Sequence, residues 1–188
     1  MKMQKKYNHP VTFNLILVIL IAIVCKPVSG GWLEAVVPVL RAAPLLELTD
    51  TEGDAHPMSA LMDRVVLVSF WTTWCPPCIE EMPLLVRLHN DLSQSGLTIL
   101  AVNVQENKRK VKQIASRLNL NFPVLLDPKR VAGNAWEVSI FPTSFLVDTH
   151  GLIRYKAIGP IQWDSEETKS VIKEMLNQRK AESNGVLP

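Results

Sequence analysis

Apolar and polar positions recur along the chain with changing periods, and those periods predict its elements. The block Val65–Phe70 is almost continuously apolar and rich in β-branched residues, the pattern of a central strand covered on both faces. It continues through Trp71-Thr72-Thr73-Trp74 into Cys75-Pro76-Pro77-Cys78, where the period changes. Ile79, Met82, Leu85, Leu88 and Leu92 recur at spacings of three and four, which predicts a helix. Pro77 suits the first turn, where a missing N–H costs nothing. Pro83 falls inside the helix and predicts a kink. Gly96 ends it.

Further along, Leu97–Val102 reads as a second buried strand. Val111, Ile114, Ala115 and Leu118 mark a second helix, and Pro123–Leu126 a short strand ended by Asp127-Pro128. Val131–Trp136 suggests a brief helix. Thr143–Asp148 and Leu152–Ile158 form a hairpin across His150-Gly151. Asp164-Ser165-Glu166-Glu167 reads as a capping box, with Asp164 at N-cap and Glu167 at N3. It opens a last amphipathic helix through Val171, Ile172, Met175 and Leu176. Upstream of the central block, Pro44–Thr49 reads as a strand, 50–54 as a turn at Gly53 and Met58–Asp63 as a helical turn. The order β-α-β-α-β-(α)-β-β-α predicts an α/β fold: a mixed central sheet with helices on both faces. One domain over residues 44–178 accommodates it, with 31–43 as a linker or short helix and 179–188 as a flexible polar tail.

The N-terminus carries a different pattern. Lys2, Lys5 and Lys6 precede the apolar run Phe13–Cys25, and Val28-Ser29-Gly30 places small residues at a cleavage site after Gly30. A comfortable bilayer span needs about 20 apolar residues; this run covers 13 positions. Residues 1–30 therefore read as a signal peptide or an uncleaved membrane anchor, with the signal favoured. A lysine-rich start faces the cytoplasm, so the domain is expected outside the inner membrane, in the periplasm, where disulfide chemistry is permitted. Cys25 reads as a small apolar residue of that run.

Charge excludes one class of partner. The chain total is +2, but residues 1–30 hold four lysines and no acid, so residues 31–188 carry −2. A nucleic-acid surface needs a basic stripe, and Lys108-Arg109-Lys110 is the domain's only basic cluster. It reads as a solvated helix face.

Cys75 and Cys78 admit several readings. Structural zinc needs four ligands; there is no second cysteine pair, and His89 and His150 lack finger spacing. A purely structural disulfide across so short a loop removes little unfolded-state entropy. A redox dithiol fits the strand-to-helix junction best. Cys75 stands where the helix dipole favours a thiolate, and Cys78, one turn on, is placed to resolve a mixed disulfide. A peroxidatic cysteine is the other enzymatic reading. Thr72 is similar to part of the peroxiredoxin pattern, but that pattern wants a proline where this chain has Val68.

Trp74-Cys75-Pro76-Pro77-Cys78 on such a junction resembles the thioredoxin superfamily, and within it the extracytoplasmic TlpA-like family, which includes the oxidoreductases of cytochrome c maturation. The likeness spans about Ala43 to Leu176. It includes Leu48-Thr49-Asp50, Phe70-Trp71, Glu81-Met82-Pro83, the run Phe122–Asp127, the run Pro142–Asp148 and the turn at Gly151. The resemblance implies a thioredoxin-like fold and thiol–disulfide exchange without metal or organic cofactor. It implies a client protein with a disulfide, an apocytochrome c among the candidates, and a membrane thiol donor of electrons. It assigns Pro142 as the cis-proline opposite the dithiol, with Phe141 shaping the substrate surface. Glu81 becomes an acid that tunes thiol pKa and moves protons. Trp74, Pro76 and Pro77 complete the expected substrate-binding set. Trp71, Trp136 and Trp163 read as packing residues. Ser69 stands where many thioredoxins have a buried aspartate, and Pro76-Pro77 where they have Gly-Pro; this pair removes two N–H donors. Less thiolate stabilisation, and hence a reducing poise, is expected. The competing class is a thioredoxin-fold chaperone or assembly factor that binds in the same groove without turnover.

Overall fold

Strand β2 (Val65–Trp71) is buried at every position. In the computed structural model, which describes residues 36–183, it lies inside a six-stranded sheet. On one side it pairs in parallel with β3 (Leu97–Val104), and β3 with β4 (Val124–Asp127). On the other it pairs antiparallel with β5 (Thr143–Val147), followed by β6 (Leu152–Ile158) and β1 (Val36–Ala42), in the order β1-β6-β5-β2-β3-β4. The thioredoxin-like, mixed α/β fold expected from the sequence is the one observed.

Strand side chains alternate between faces, and here both faces are covered. Val65, Leu67 and Trp71 enter one core with Met82, Leu85 and Leu88 of helix α1 (Pro76–Leu92). Val111 and Ala115 of α2 (Lys108–Arg117) and Ile172 and Leu176 of α4 (Glu166–Ser183) complete that layer. Val66, Val68 and Phe70 enter the other core with Leu46, Met58 and Ala132 of the short helix α3 (Val131–Ala135). Phe70, Trp136 and Phe145 meet there with ring centroids 5.0–5.9 Å apart. Truncating one of these rings to alanine costs about 3–5 kcal/mol. The dithiol belongs to the first core, so it is anchored in packed structure on one side and meets the surface on the other.

Four expectations change. Residues 36–42 are not linker: they form edge strand β1, which pairs with β6 across a bulge between Pro38 and Arg41. Proline is tolerated at such an edge because it removes no interior ladder bond. Residues 44–49 are not a strand; only isolated bridges, Thr49 to Ala55 and Asp50 to Leu125, form there. The last helix is capped one residue later than expected. The Ser165 Oγ accepts the Thr168 N–H at 3.2 Å, while Asp164 pairs with Arg87 at 2.8 Å. That helix runs to Ser183, past the expected boundary at 178. Helix α1 runs through Pro83, whose ring lies on its exposed side. The leader 1–30 lies outside the described residues. Among the described residues, no helix is long and apolar enough to cross a membrane.

Candidate active site

Helix α1 begins at the cysteines for a local reason. Cys75 is the N-cap, with extended backbone at φ −96° and ψ 102°, and Pro76 and Pro77 fill the first helical positions. Neither proline has an N–H to leave unpaired. The first available amide is that of Cys78, and it donates to the Cys75 Sγ at 3.3 Å. The two cysteines are joined as a disulfide, with Cα atoms 5.3 Å apart. Cys75 retains 5 % exposure and Cys78 none, so Cys75 presents the outer sulfur.

The far end of β2 meets the start of β5, where Phe70 pairs with Thr143. That register brings the Phe141-Pro142 peptide, which is cis, to the dithiol end of the sheet. Pro142 is buried, and its carbonyl accepts the Gly159 N–H at 2.9 Å. Trp74 is 64 % exposed and meets Phe141 edge-on, with ring centroids 6.0 Å apart. Trp74, Cys75, Pro76, Pro77 and Phe141 line one groove of about 710 Å³.

Two carboxylates lie close to this site. Glu81 sits on the buried face of α1, one turn beyond Cys78, and is 2 % exposed. Burial raises its pKa to about 8, although the indole N–H of Trp163 donates to its Oε1 and opposes that rise. Among the described residues its Oε2 has no partner. Glu106 follows β3 and binds the loop before Cys75. It accepts the Thr73 N–H at 2.6 Å, the Thr73 hydroxyl at 2.5 Å and the Asn103 amide at 2.9 Å, and pairs with Lys110 at 2.8 Å. Burial pushes its pKa up, but these donors outweigh that and hold it below the usual value.

The AhpC/TSA family model matches residues 39–156. The chain belongs to this family. It is 36% identical over 152 residues to the thiol-disulfide oxidoreductase ResA of Geobacillus kaustophilus, covering 80% of this chain and 87% of that one. It is 35% identical over 135 residues to the ResA of Bacillus subtilis, covering 72% of each. Among solved structures it is similar to a Chlorobium tepidum protein described as a thiol:disulfide interchange protein DsbE. That match has a TM-score of 0.68 and 26% identity, over 73% of this chain and 96% of that one. With its paired cysteines on a thioredoxin-like fold, this family member is an enzyme of the thiol–disulfide oxidoreductase class.

The structure brings the expected residues together. Cys75, Trp74, Pro76, Pro77 and Phe141 share the groove, Pro142 lies behind it, and Cys78 and Glu81 lie beneath. Glu81 is not a solvated neighbour of exposed Glu80; it points into the core. Two contributions were missed. Trp163, read as packing, is buried but also supplies the hydrogen bond to Glu81. Glu106 was not singled out. Its available signal was an acid just past a buried strand, four residues before Lys110, but a helix-start ion pair of that kind is also an ordinary surface feature.

Proposed function

We propose that the protein reduces disulfides of client proteins outside the cytoplasmic membrane, by dithiol exchange at Cys75 and Cys78. The observation that carries this reading is the dithiol pair at the start of α1, with Cys75 as the outer sulfur and N-cap. In the reduced enzyme the Cys75 thiolate attacks a client disulfide. A Cys75–client bond forms, the client S–S bond breaks, and the departing client thiolate takes a proton. The Cys78 thiolate then attacks the Cys75 sulfur. The Cys75–Cys78 disulfide closes and the second client thiol leaves. The client gains two electrons and the enzyme loses two. A membrane thiol donor restores the dithiol, and no metal or organic cofactor enters either step.

Glu81 is the proton carrier in this scheme. With a pKa near 8 it is protonated at neutral pH; it gives that proton to the departing thiolate and, as the carboxylate so formed, takes the proton of the Cys78 thiol. Charge repulsion from it acts on the thiols only at higher pH. Phe141 supplies the wall against which an extended client segment lies, and the buried Pro142 behind it fixes the backbone there. The reducing direction is supported by the sparse donors at Cys75. Pro76 and Pro77 contribute no N–H, which leaves the Cys78 amide as the donor to its sulfur. A weakly stabilised thiolate makes a weak oxidant. The family resemblance supports an oxidised apocytochrome c as one candidate client, and the leader pattern in residues 1–30 supports an exported, periplasmic site.

Cys78→Ser tests this reading. It should accumulate a mixed disulfide through Cys75 in the native compartment, whereas Cys75→Ser should trap nothing and lose exchange. A protein that keeps its function in both variants is a binding or assembly factor, and the reading fails. A reduction potential near about −120 mV, the range of strong oxidants, would overturn the direction.

A further inference from the structure

Among the described residues, one charged side chain lines the groove beside the dithiol. Its walls are Trp74, Pro76, Pro77, Ile140 and Phe141 with small polar groups, and Arg130 stands among them. Arg130 is held in place. It adopts a left-handed backbone conformation, φ 58°, just before α3. Its Nε donates to the Asn134 Oδ1 at 3.3 Å, Nη1 to the Gln105 Oε1 at 3.3 Å and Nη2 to the Val138 carbonyl at 2.7 Å. The guanidinium carbon also lies 5.8 Å from the centre of the Phe141 ring.

All three acceptors are neutral. Among the described residues Arg130 makes no ion pair. The nearby acids are engaged elsewhere: Asp127 accepts the Gly133 N–H at 2.8 Å, Glu137 pairs with Arg41, and Glu106 is taken by Thr73, Asn103 and Lys110. A guanidinium has five N–H bonds. Three are used, so each terminal nitrogen keeps one without an acceptor among the described residues. A fixed cation with two donors to spare matches a carboxylate, which accepts such a fork bidentately.

Resting on the exchange reading above, we propose that Arg130 is a specificity-determining residue: it recognises an aspartate or glutamate side chain flanking the client's disulfide. The client segment lies in the groove with its attacked sulfur at Cys75. Its acidic side chain reaches Arg130 on the Phe141 side. Clients with a neutral or basic residue there dock without this contact. A lysine meets like charge and is disfavoured.

The test uses the reduced full-length protein and synthetic peptides that each hold one disulfide. The peptides differ only in Glu, Gln or Lys at positions one to three residues from the cysteines. The readout is the second-order rate constant for oxidation of the protein by each peptide. The expected order is Glu, then Gln, then Lys. At one position the Glu-to-Gln ratio should be about five- to tenfold at low salt, as befits a charge-assisted contact. It should shrink toward unity at 1 M salt, where screening acts within about 3 Å. Arg130→Gln should abolish the Glu-to-Gln ratio, and Arg130→Lys should keep its direction at reduced size. Equal rates for the three peptides at every position in the unaltered protein overturn the proposal, whatever the variants do. So does a preference that survives Arg130→Gln. If no peptide disulfide oxidises the protein at all, the exchange reading itself has failed and this inference falls with it.

Discussion

Asp50 and Glu81 are both buried carboxylates, 8 % and 2 % exposed, yet their surroundings give them opposite chemistry. Asp50 sits in the 50–54 turn. Its Oδ1 accepts the N–H groups of Glu52, Gly53 and Asp54 at 2.8–3.0 Å, and its Oδ2 meets the His56 Nε2 at 2.7 Å. Burial pushes its pKa up, but these partners outweigh burial and lower it to about 2. Among the described residues Glu81 has one donor, Trp163, and an oxygen without a partner, so burial wins and its pKa rises. Burial by itself does not decide whether an acid is a structural anion or a proton carrier; the number of donors around it does. Glu106 belongs with Asp50 on this scale, although it borders the redox site.

The sharpest break in the comparison is kinetic. Glu81→Gln should slow exchange at neutral pH by about 100-fold, the scale of a lost proton-transfer group. Asp50→Asn should change it by less than about twofold, as a substitution remote from the dithiol. Stopped-flow oxidation of both variants by a disulfide substrate decides this; equal slowing would show that Glu81 acts through the fold rather than through its proton.

Next in size is the stability carried by Asp50. Its pKa falls from 3.8 to about 2 on folding. Its stabilisation is therefore complete above pH 3.8 and is lost as pH falls through 2. Asp50→Asn should cost about 2 kcal/mol at neutral pH, a difference that closes in acid. Denaturant melts at pH 7 and pH 2.5 measure it.

Glu81 should show the reverse sign. Its folded pKa lies above the ordinary 4.5, so the folded state holds its proton longer. Between pH 4.5 and 8 the unfolded chain releases that proton first, and stability falls as pH rises. Glutamine does not titrate. Glu81→Gln should therefore gain on the parent as pH rises across this window, in melts of the oxidised protein. A constant difference from pH 4 to 8 would refute the raised pKa.

The smallest expected effect belongs to Trp163. Trp163→Phe keeps the ring and removes the indole donor, leaving Glu81 with neither oxygen bonded. The pH dependence of exchange should move upward, with a rate change of a few-fold, consistent with one hydrogen bond of about 1 kcal/mol. A shift downward would mean that the bond favours the neutral acid.

The central layers were legible because their patterns are local. Val65–Phe70, the α1 periodicity and the hairpin at Gly151 each declare themselves within a few residues. The edge was less legible. Val36–Ala42 contains Pro38 and does not alternate cleanly, so its pairing with β6 depends on a strand more than a hundred residues away. The cap of α4 failed by one residue because Asp164 and Ser165 are both competent caps. Arg87, from another helix, claimed the aspartate.

The sequence by itself determined the dithiol, its place at a strand–helix junction, and the family through an ordered set of motifs. Those features rest on chain-local rules: a missing proline N–H, a helix period, a turn residue. Only the tertiary structure decided which acids are charged. Glu80 and Glu81 are adjacent and chemically alike, yet one meets water and the other meets Trp163, 82 positions along the chain. Arg130 and Phe141 join Cys75 in one groove only because β4 runs parallel to β2 through β3 and β5 returns antiparallel on the other side. Solvation and hydrogen-bond count are properties of the space around an atom, and a linear pattern does not specify that space.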